Sequence, residues 1–194
     1  MADTRRGGAK GSSRDAFIGT AGELLRRQGY DATGINQIVA GSGAPKGSMY
    51  FHFPGGKEQL AVAAMEREGG RLRAAIAAIA AASESPAETL GVLIDAMAGG
   101  LERSNFQDGC PIATVTLEAA GRSEAVRASA AAVFDSWLEV LEEHMLAGGL
   151  AAELARRRAL LALAALEGAL ILARARRDLG PLIAVREELV ELLA

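Results

Sequence analysis

The sequence predicts an all-α protein of about nine helices, and three observations carry that expectation. Hydrophobic residues make up 50% of the 194, much of it alanine and leucine, while aromatic residues are only 4%, a balance that favours helix over a β-rich fold. Apolar residues recur at spacings of three and four, the signature of a buried helical stripe. Glycine and proline then cut the chain into segments of helical length, with no internal repeat and no strand pattern between them.

From Ser13, read as an N-cap, Phe17, Ala21, Leu24 and Leu25 form one apolar stripe that ends at Gly29. Thr33 can cap a short second helix with Ile35, Ile38 and Val39 inward, broken by Gly41-Ser42-Gly43. Pro45 suits the first turn of a third helix, where its missing N–H has no intrahelical partner; Met49 and Phe53 give it a buried side, and Pro54-Gly55-Gly56 stops it. A long fourth helix runs from about Lys57 into the eighties, with Gly69-Gly70 as a bend. Five more helices follow, near 86–103, 111–120, 122–147, 152–177 and 181–193, separated by Gly109-Cys110-Pro111, Gly121, Gly148-Gly149 and Gly180-Pro181. The domain reading is a flexible basic arm over 1–12, a three-helix module over 13–57 and a larger helical domain over 58–194.

The formal net charge of -3 conceals two halves of opposite sign. Up to and including Lys57 there are eight basic and four acidic residues, a balance of +4; the remainder holds 13 basic and 20 acidic residues, a balance of −7. A basic N-terminal module suits a polyanion. With Cys110 the single cysteine, no intramolecular disulfide or thiolate cluster can form, and a reducing cytoplasm is the natural compartment. The first 14 residues have no apolar run, and Ala159 to Ala173 is interrupted by Glu167, shorter than the roughly 18–20 residues a bilayer crossing needs. No membrane association is expected.

Two short helices joined by a tight glycine-containing turn form a helix-turn-helix, whose second member enters the major groove of duplex DNA. Its outward side would display Lys46, Gly47, Ser48, Tyr50 and His52, with Lys57 facing phosphate from the next helix start. For Tyr50 the alternative is packing against the first helix, for His52 an exposed turn, and for either lysine a solvated surface charge. The run Gly41 to Ser48 superficially looks like a phosphate-cradling loop, but lysine and glycine stand in the wrong order and no strand precedes it.

The stretch Gly29-Tyr30-Asp31-Ala32-Thr33 through Ile35, Ile38, Gly43, Lys46-Gly47-Ser48-Met49-Tyr50, Phe53-Pro54 and Lys57-Glu58 resembles the tetracycline-repressor (TetR) family of transcriptional regulators. Ala44 to Ser48, Phe53 to Leu60 and Gly109-Cys110-Pro111 are similar to its LmrA/YxaF-like subgroup. The signature spans about a quarter of the chain and is looser toward the C-terminus. The resemblance implies DNA contacts from Thr33, Pro45, Lys46, Gly47, Ser48, Tyr50, His52 and Lys57, with Pro45 standing where serine is commoner. It also implies a ligand cavity among the later helices, with Met97, Leu101, Phe106, Cys110, Ile112, Thr116, Phe134, Trp137, Leu138, Leu163 and Glu167 as candidates. Any of the apolar members is equally readable as ordinary core. Glu167, midway along an apolar helix, needs a cation, a donor, water or a partner subunit, and Cys110 reads as a small buried hydrophobe or a redox sensor.

The last two helices resemble the pair through which family members build an intersubunit four-helix bundle. Leu160, Ala164, Gly168, Ile171, Leu182, Val185 and Leu189 are the interface candidates. Together these features imply a homodimeric repressor on a near-palindromic operator, released by a small lipophilic effector, with a transcriptional activator on the same module as the alternative. A helical enzyme using Glu118, Glu167, Cys110 and His144 is the remaining rival. With two histidines and one cysteine in the chain, no nucleophile–base or metal-ligand spacing emerges, His144 reads as part of a charged helix face, and no cofactor or metal is expected.

Overall fold

The computed structural model describes residues 12–194, so the arm expected over 1–12 lies outside the described residues except for Ser12. Among the described residues every regular element is a helix: α1 (Ser13–Gln28), α2 (Ile35–Ser42), α3 (Lys46–His52), α4 (Gly56–Ala82), α5 (Pro86–Arg103), α6 (Pro111–Ala119), α7 (Glu124–Ala147), α8 (Ala152–Arg176) and α9 (Gly180–Leu193). The five C-terminal helices fall within a residue or two of the spans their punctuation predicts.

Local chemistry sets the ends of the first helices. Ser12, not Ser13, caps α1 by accepting the Asp15 N–H at 3.2 Å. Gly29 closes α1 at φ +79°, in the left-handed region that favours glycine, and it lies directly against the Glu118 carboxyl. Thr33 does not cap α2. Its side chain is buried and its hydroxyl donates to the Gly29 carbonyl at 2.6 Å, while Gly34 takes the cap position and donates its N–H to Gln37 Oε1 at 2.9 Å. Pro45 sits one position before α3, as its cap, with φ −60°.

Phe17, Ile18, Ala21 and Leu25 of α1, Ile38 of α2, Met49 of α3 and Phe53 form the core of the N-terminal module, with Phe17 and Phe53 edge-to-face at 6.5 Å. That core continues into Leu60, Ala61, Ala64 and Met65 of α4. Helix α4 therefore belongs to both modules: it packs on α1 at one end and most extensively on α7 along its length. Gly69-Gly70, the pair read as a bend, lies within the continuous helix. Gly69 instead admits α7 closely: Val133 presses on its Cα, and the Trp137 indole N–H donates to its carbonyl at 2.9 Å. Helices α5 and α9, and α7 and α8, pair to complete the C-terminal domain. His144 is drawn into this packing, with Nε2 2.9 Å from the buried Thr89 hydroxyl, and so differs from the solvated position its charged neighbours suggest.

Candidate nucleic-acid interface and interhelical cavity

Helix α3 is anchored from within and open from without. Met49 and Phe53 are fully buried, whereas Pro45, Lys46 and Gly47 are exposed, Tyr50 is 55% exposed and Phe51 82%. Tyr50 therefore keeps more than half of its surface open to solvent, whatever part of it rests on the helices beneath. Phe51 was not among the expected contacts; the signal for it is that on a seven-residue helix with one buried face, positions 47, 50 and 51 share the opposite side. Gly47 has open space where a Cβ would stand, so the helix backbone can come close to another surface. Ser48 is half-buried and its hydroxyl donates to the Pro45 carbonyl at 2.7 Å. His52, also half-buried, lies edge-on between Phe51 and Phe53.

Two further expected residues lie outside α3. Thr33 is interior, with its hydroxyl engaged as described, and is removed from the contact surface. Lys57 stands in the first turn of α4, the position expected for it, where it lies 4.3 Å over the Tyr30 ring and donates to the Asp31 carbonyl at 3.4 Å.

The three-helix module is tied to the larger domain at two places. Asp31 donates its N–H to Glu118 Oε2 at 2.8 Å and pairs through its carboxylate with Arg122. At the end of α1, Arg26 and Arg27 face Asp108 at 3.2 and 3.3 Å, and the Gly109 N–H donates to the Arg26 carbonyl at 3.2 Å. The segment between α5 and α6 thus grips the end of α1 by both backbone and charge.

Behind that grip lies a cavity of about 400 Å³, within the size range of small-molecule sites. Six of the eleven predicted residues line it: Met97, Leu101, Cys110, Ile112, Trp137 and Glu167. Phe106, Thr116, Phe134, Leu138 and Leu163 do not. Thr116 turns its hydroxyl to the Ile112 carbonyl, Phe134 packs edge-on behind Trp137 at 5.4 Å, and Leu138 faces a surface cleft with Leu160. Phe106 belongs to the left-handed turn after α5, and Leu163 is packed against the core. The wall also includes Arg26, Glu68, Arg71 and Asp108, which periodicity could not reveal because they come from α1, α4 and a loop.

Glu167 carries the least compensated charge in this wall. Its Oε2 is buried without a hydrogen-bond partner, and the Cys110 thiol shares the cavity wall with it. Burial raises the Glu167 carboxyl above the usual range, with the neighbouring Cys110 thiol acting in the opposite direction. Burial, reinforced by the nearby Glu167, pushes the Cys110 thiol far up. A thiol held protonated in this way is a poor nucleophile, which favours the packing role over redox sensing.

Helices α8 and α9 also present an apolar surface to solvent. Leu160, Leu161, Ile171 and Leu172 of α8 and Ile183 and Leu192 of α9 are all exposed, and a Cβ on Gly168 would meet nothing within 4 Å. Ala164 shares this surface, and Val185 is half-buried beside it. Leu182 and Leu189 are corrections: both are buried in the protomer's own core, because the α9 face they occupy is turned inward. Leu161, Leu172, Ile183 and Leu192 take their place on the open surface.

Comparison with known proteins agrees with this architecture. Residues 17–64 match the model of bacterial regulatory proteins of the tetR family, and residues 86–188 match the C-terminal domain of LmrA/YxaF-like transcriptional regulators. An uncharacterised HTH-type transcriptional regulator of Mycobacterium tuberculosis is 40% identical over 185 residues, 93% of each chain. The HTH-type transcriptional regulator LmrA of Bacillus subtilis is 32% identical over 183 residues, 94% of this chain and 97% of that one. A TetR transcriptional regulator from Legionella pneumophila shares the fold, with a TM-score of 0.86 at 22% identity over 96% of this chain and all of that one.

Proposed function

Because this chain belongs to the TetR family of transcriptional regulators, with a C-terminal domain of the LmrA/YxaF-like type, we propose that it is a repressor that binds a near-palindromic operator as a homodimer and releases it when a small lipophilic effector fills the cavity. The observation that carries this reading is the outward face of α3, where Lys46, Gly47, Tyr50 and Phe51 are open to solvent while Met49 and Phe53 hold the helix from beneath. Lys46 supplies a phosphate or guanine contact, Tyr50 a hydroxyl, and Phe51 an apolar face for a thymine methyl. Pro45, Ser48, His52 and Lys57 flank these contacts at the level of the backbone phosphates. Thr33 acts through position alone, fixing the loop that leads into α2.

The α8–α9 surface supports a second copy as partner. Fully burying a leucine or isoleucine contributes ~1.5–3 kcal/mol, and six such side chains per protomer stand exposed. Across a twofold axis that is a dozen, enough to offset the ~4–15 kcal/mol cost of association. Effector release follows from where the cavity lies: Arg26 and Asp108 line it and also join α1 to the larger domain. A ligand that fits better when this pair is parted favours a different pose of the DNA-binding module, and its effect is limited to its difference in affinity for the two poses.

The test is operator selection from random DNA followed by a gel shift with Lys46→Ala combined with Tyr50→Ala. The double variant should remain a folded dimer and lose specific binding. The parent's affinity should fall steeply with salt, and Lys46→Ala alone should lower the log–log slope by about 1. Undiminished binding by the double variant, or a flat salt response, would refute the assignment.

A further inference from the structure

We propose that the cavity is selective for lipophilic cations, protonated organic amines above all, and that Glu167 receives the ammonium group. This deepens the effector reading above and depends on it for the consequence of binding, but not for recognition.

The charges around the cavity do not cancel. Arg71 is paired with Glu68 at 2.9 Å and Arg26 with Asp108 at 3.2 Å. Glu167 is the fifth charged residue of the wall, and among the described residues no lysine, arginine or histidine comes within ion-pair distance of it. The arginine two turns along α8, Arg174, donates instead to the Gln107 carbonyl at 3.0 Å. An anionic guest would therefore find no free cation, because both guanidinium groups already face acids, and it would hold Glu167 in its protonated form. A cationic guest would supply the missing counter-charge, and an N–H⁺ donor would satisfy the buried Oε2.

Trp137 adds a second, independent preference. Its indole N–H is already donated to Gly69, so what it can offer a guest is the ring, whose π face attracts cations. The remaining wall, Leu72, Met97, Leu101, Ile112 and Leu170, is hydrocarbon and thioether, suited to the apolar body of an amphiphilic amine. Burial favours the proton on Glu167 while the cavity is empty. An arriving ammonium stabilises the carboxylate, and the displaced proton leaves to solvent.

Trp137 is the single tryptophan of the chain, so its fluorescence reports directly on the cavity without DNA present. Phenylbutylamine, phenylbutanol and phenylbutyrate share one skeleton and differ only in head-group charge. The amine should saturate with a Kd about tenfold or more below those of the alcohol and the acid, a difference of about 1.4 kcal/mol. Glu167→Gln should shrink that advantage to about twofold, read as the ratio of amine to alcohol affinity within each protein. Glu167→Leu serves the same purpose should the glutamine variant fail to show native helicity. Equal or tighter binding of the alcohol or acid, an amine advantage that survives both variants, or no saturable response to the amine would each overturn the proposal. Amine binding that leaves operator affinity untouched would keep it and remove the effector reading instead.

Discussion

Replacing Gly69 by alanine places one methyl group where α4 and α7 approach most closely. The new Cβ would lie 2.8 Å from Val133 Cγ2, 3.2 Å from its Cβ and closer still to Cγ1, against an optimal carbon–carbon separation of ~3.5–4.0 Å. Both methyls of Val133 are struck, and a valine in a helix strongly prefers one rotamer, so rotation gives no escape. Overpacking of this kind costs ~1–3 kcal/mol. Any parting of the helices also stretches the Trp137–Gly69 hydrogen bond, worth ~0.5–1.5 kcal/mol. Against this stands the gain in helix propensity from glycine to alanine, ~1 kcal/mol. The clash wins by ~0.5–3.5 kcal/mol, which for a chain of this length lowers Tm by roughly 1–14 °C. Gly70 is the internal control: it is exposed, with nothing within 4 Å of its would-be Cβ. Gly70→Ala should therefore raise Tm by roughly 2–4 °C from propensity alone. Thermal melts followed by circular dichroism at one protomer concentration compare the three proteins. A Gly69→Ala melt at or above the parent's, or equal shifts for both variants, would show that α4 and α7 are not in the contact described.

Gly168→Trp should leave the protomer's helicity intact, because a Cβ there meets nothing within 4 Å, while turning a sedimenting dimer into a monomer and weakening operator binding with it; an unchanged sedimentation profile would place the interface elsewhere. Glu167→Gln should also change stability in a pH-dependent way. Because burial raises the folded carboxyl above its unfolded value, the stability linked to this group is intact at acid pH and lost as pH rises through the raised value. The glutamine variant cannot ionise, so its gain in Tm over the parent should be largest near pH 8 and shrink toward about pH 5; a gain of the same size at both would contradict the raised carboxyl.

Most helix boundaries were legible because glycine and proline act through local backbone geometry. Pro86 and Pro111 open helices, and Gly29 and Gly43 close them in left-handed conformations. The helix starts at Ser12 and Gly34 were less so, since Ser12 and Ser13 are chemically alike, and a buried local hydrogen bond to the Gly29 carbonyl, four residues back, took the Thr33 hydroxyl away from capping. On α9, apolar residues run almost all round the helix, so spacing alone could not decide that Leu182 and Leu189 face inward and Ile183 and Leu192 outward. Wall residues from α8 and α6 could be guessed from apolar helices; Arg26 and Arg71 could not, because an arginine in a sequence gives no sign of the acid it will face.

That same blindness tempers the charge asymmetry that first pointed to DNA. Of the basic residues in the described part of the N-terminal module, Arg26 and Arg27 face Asp108, Arg14 lies over the Phe53 ring and Lys57 over the Tyr30 ring. Lys46 stands exposed on the presented face of α3. The composition of the module is basic, but two of its arginines hold it to the larger domain. Asp108 therefore matters in two ways: it neutralises charge that would otherwise attract DNA phosphates, and it holds the end of α1 against the cavity wall. Parting the Arg26–Asp108 pair would make the module more basic and less firmly oriented at once. In the dimer proposed above, loss of operator would then have to come from misalignment of the two α3 helices, because the electrostatic change acts in the opposite direction.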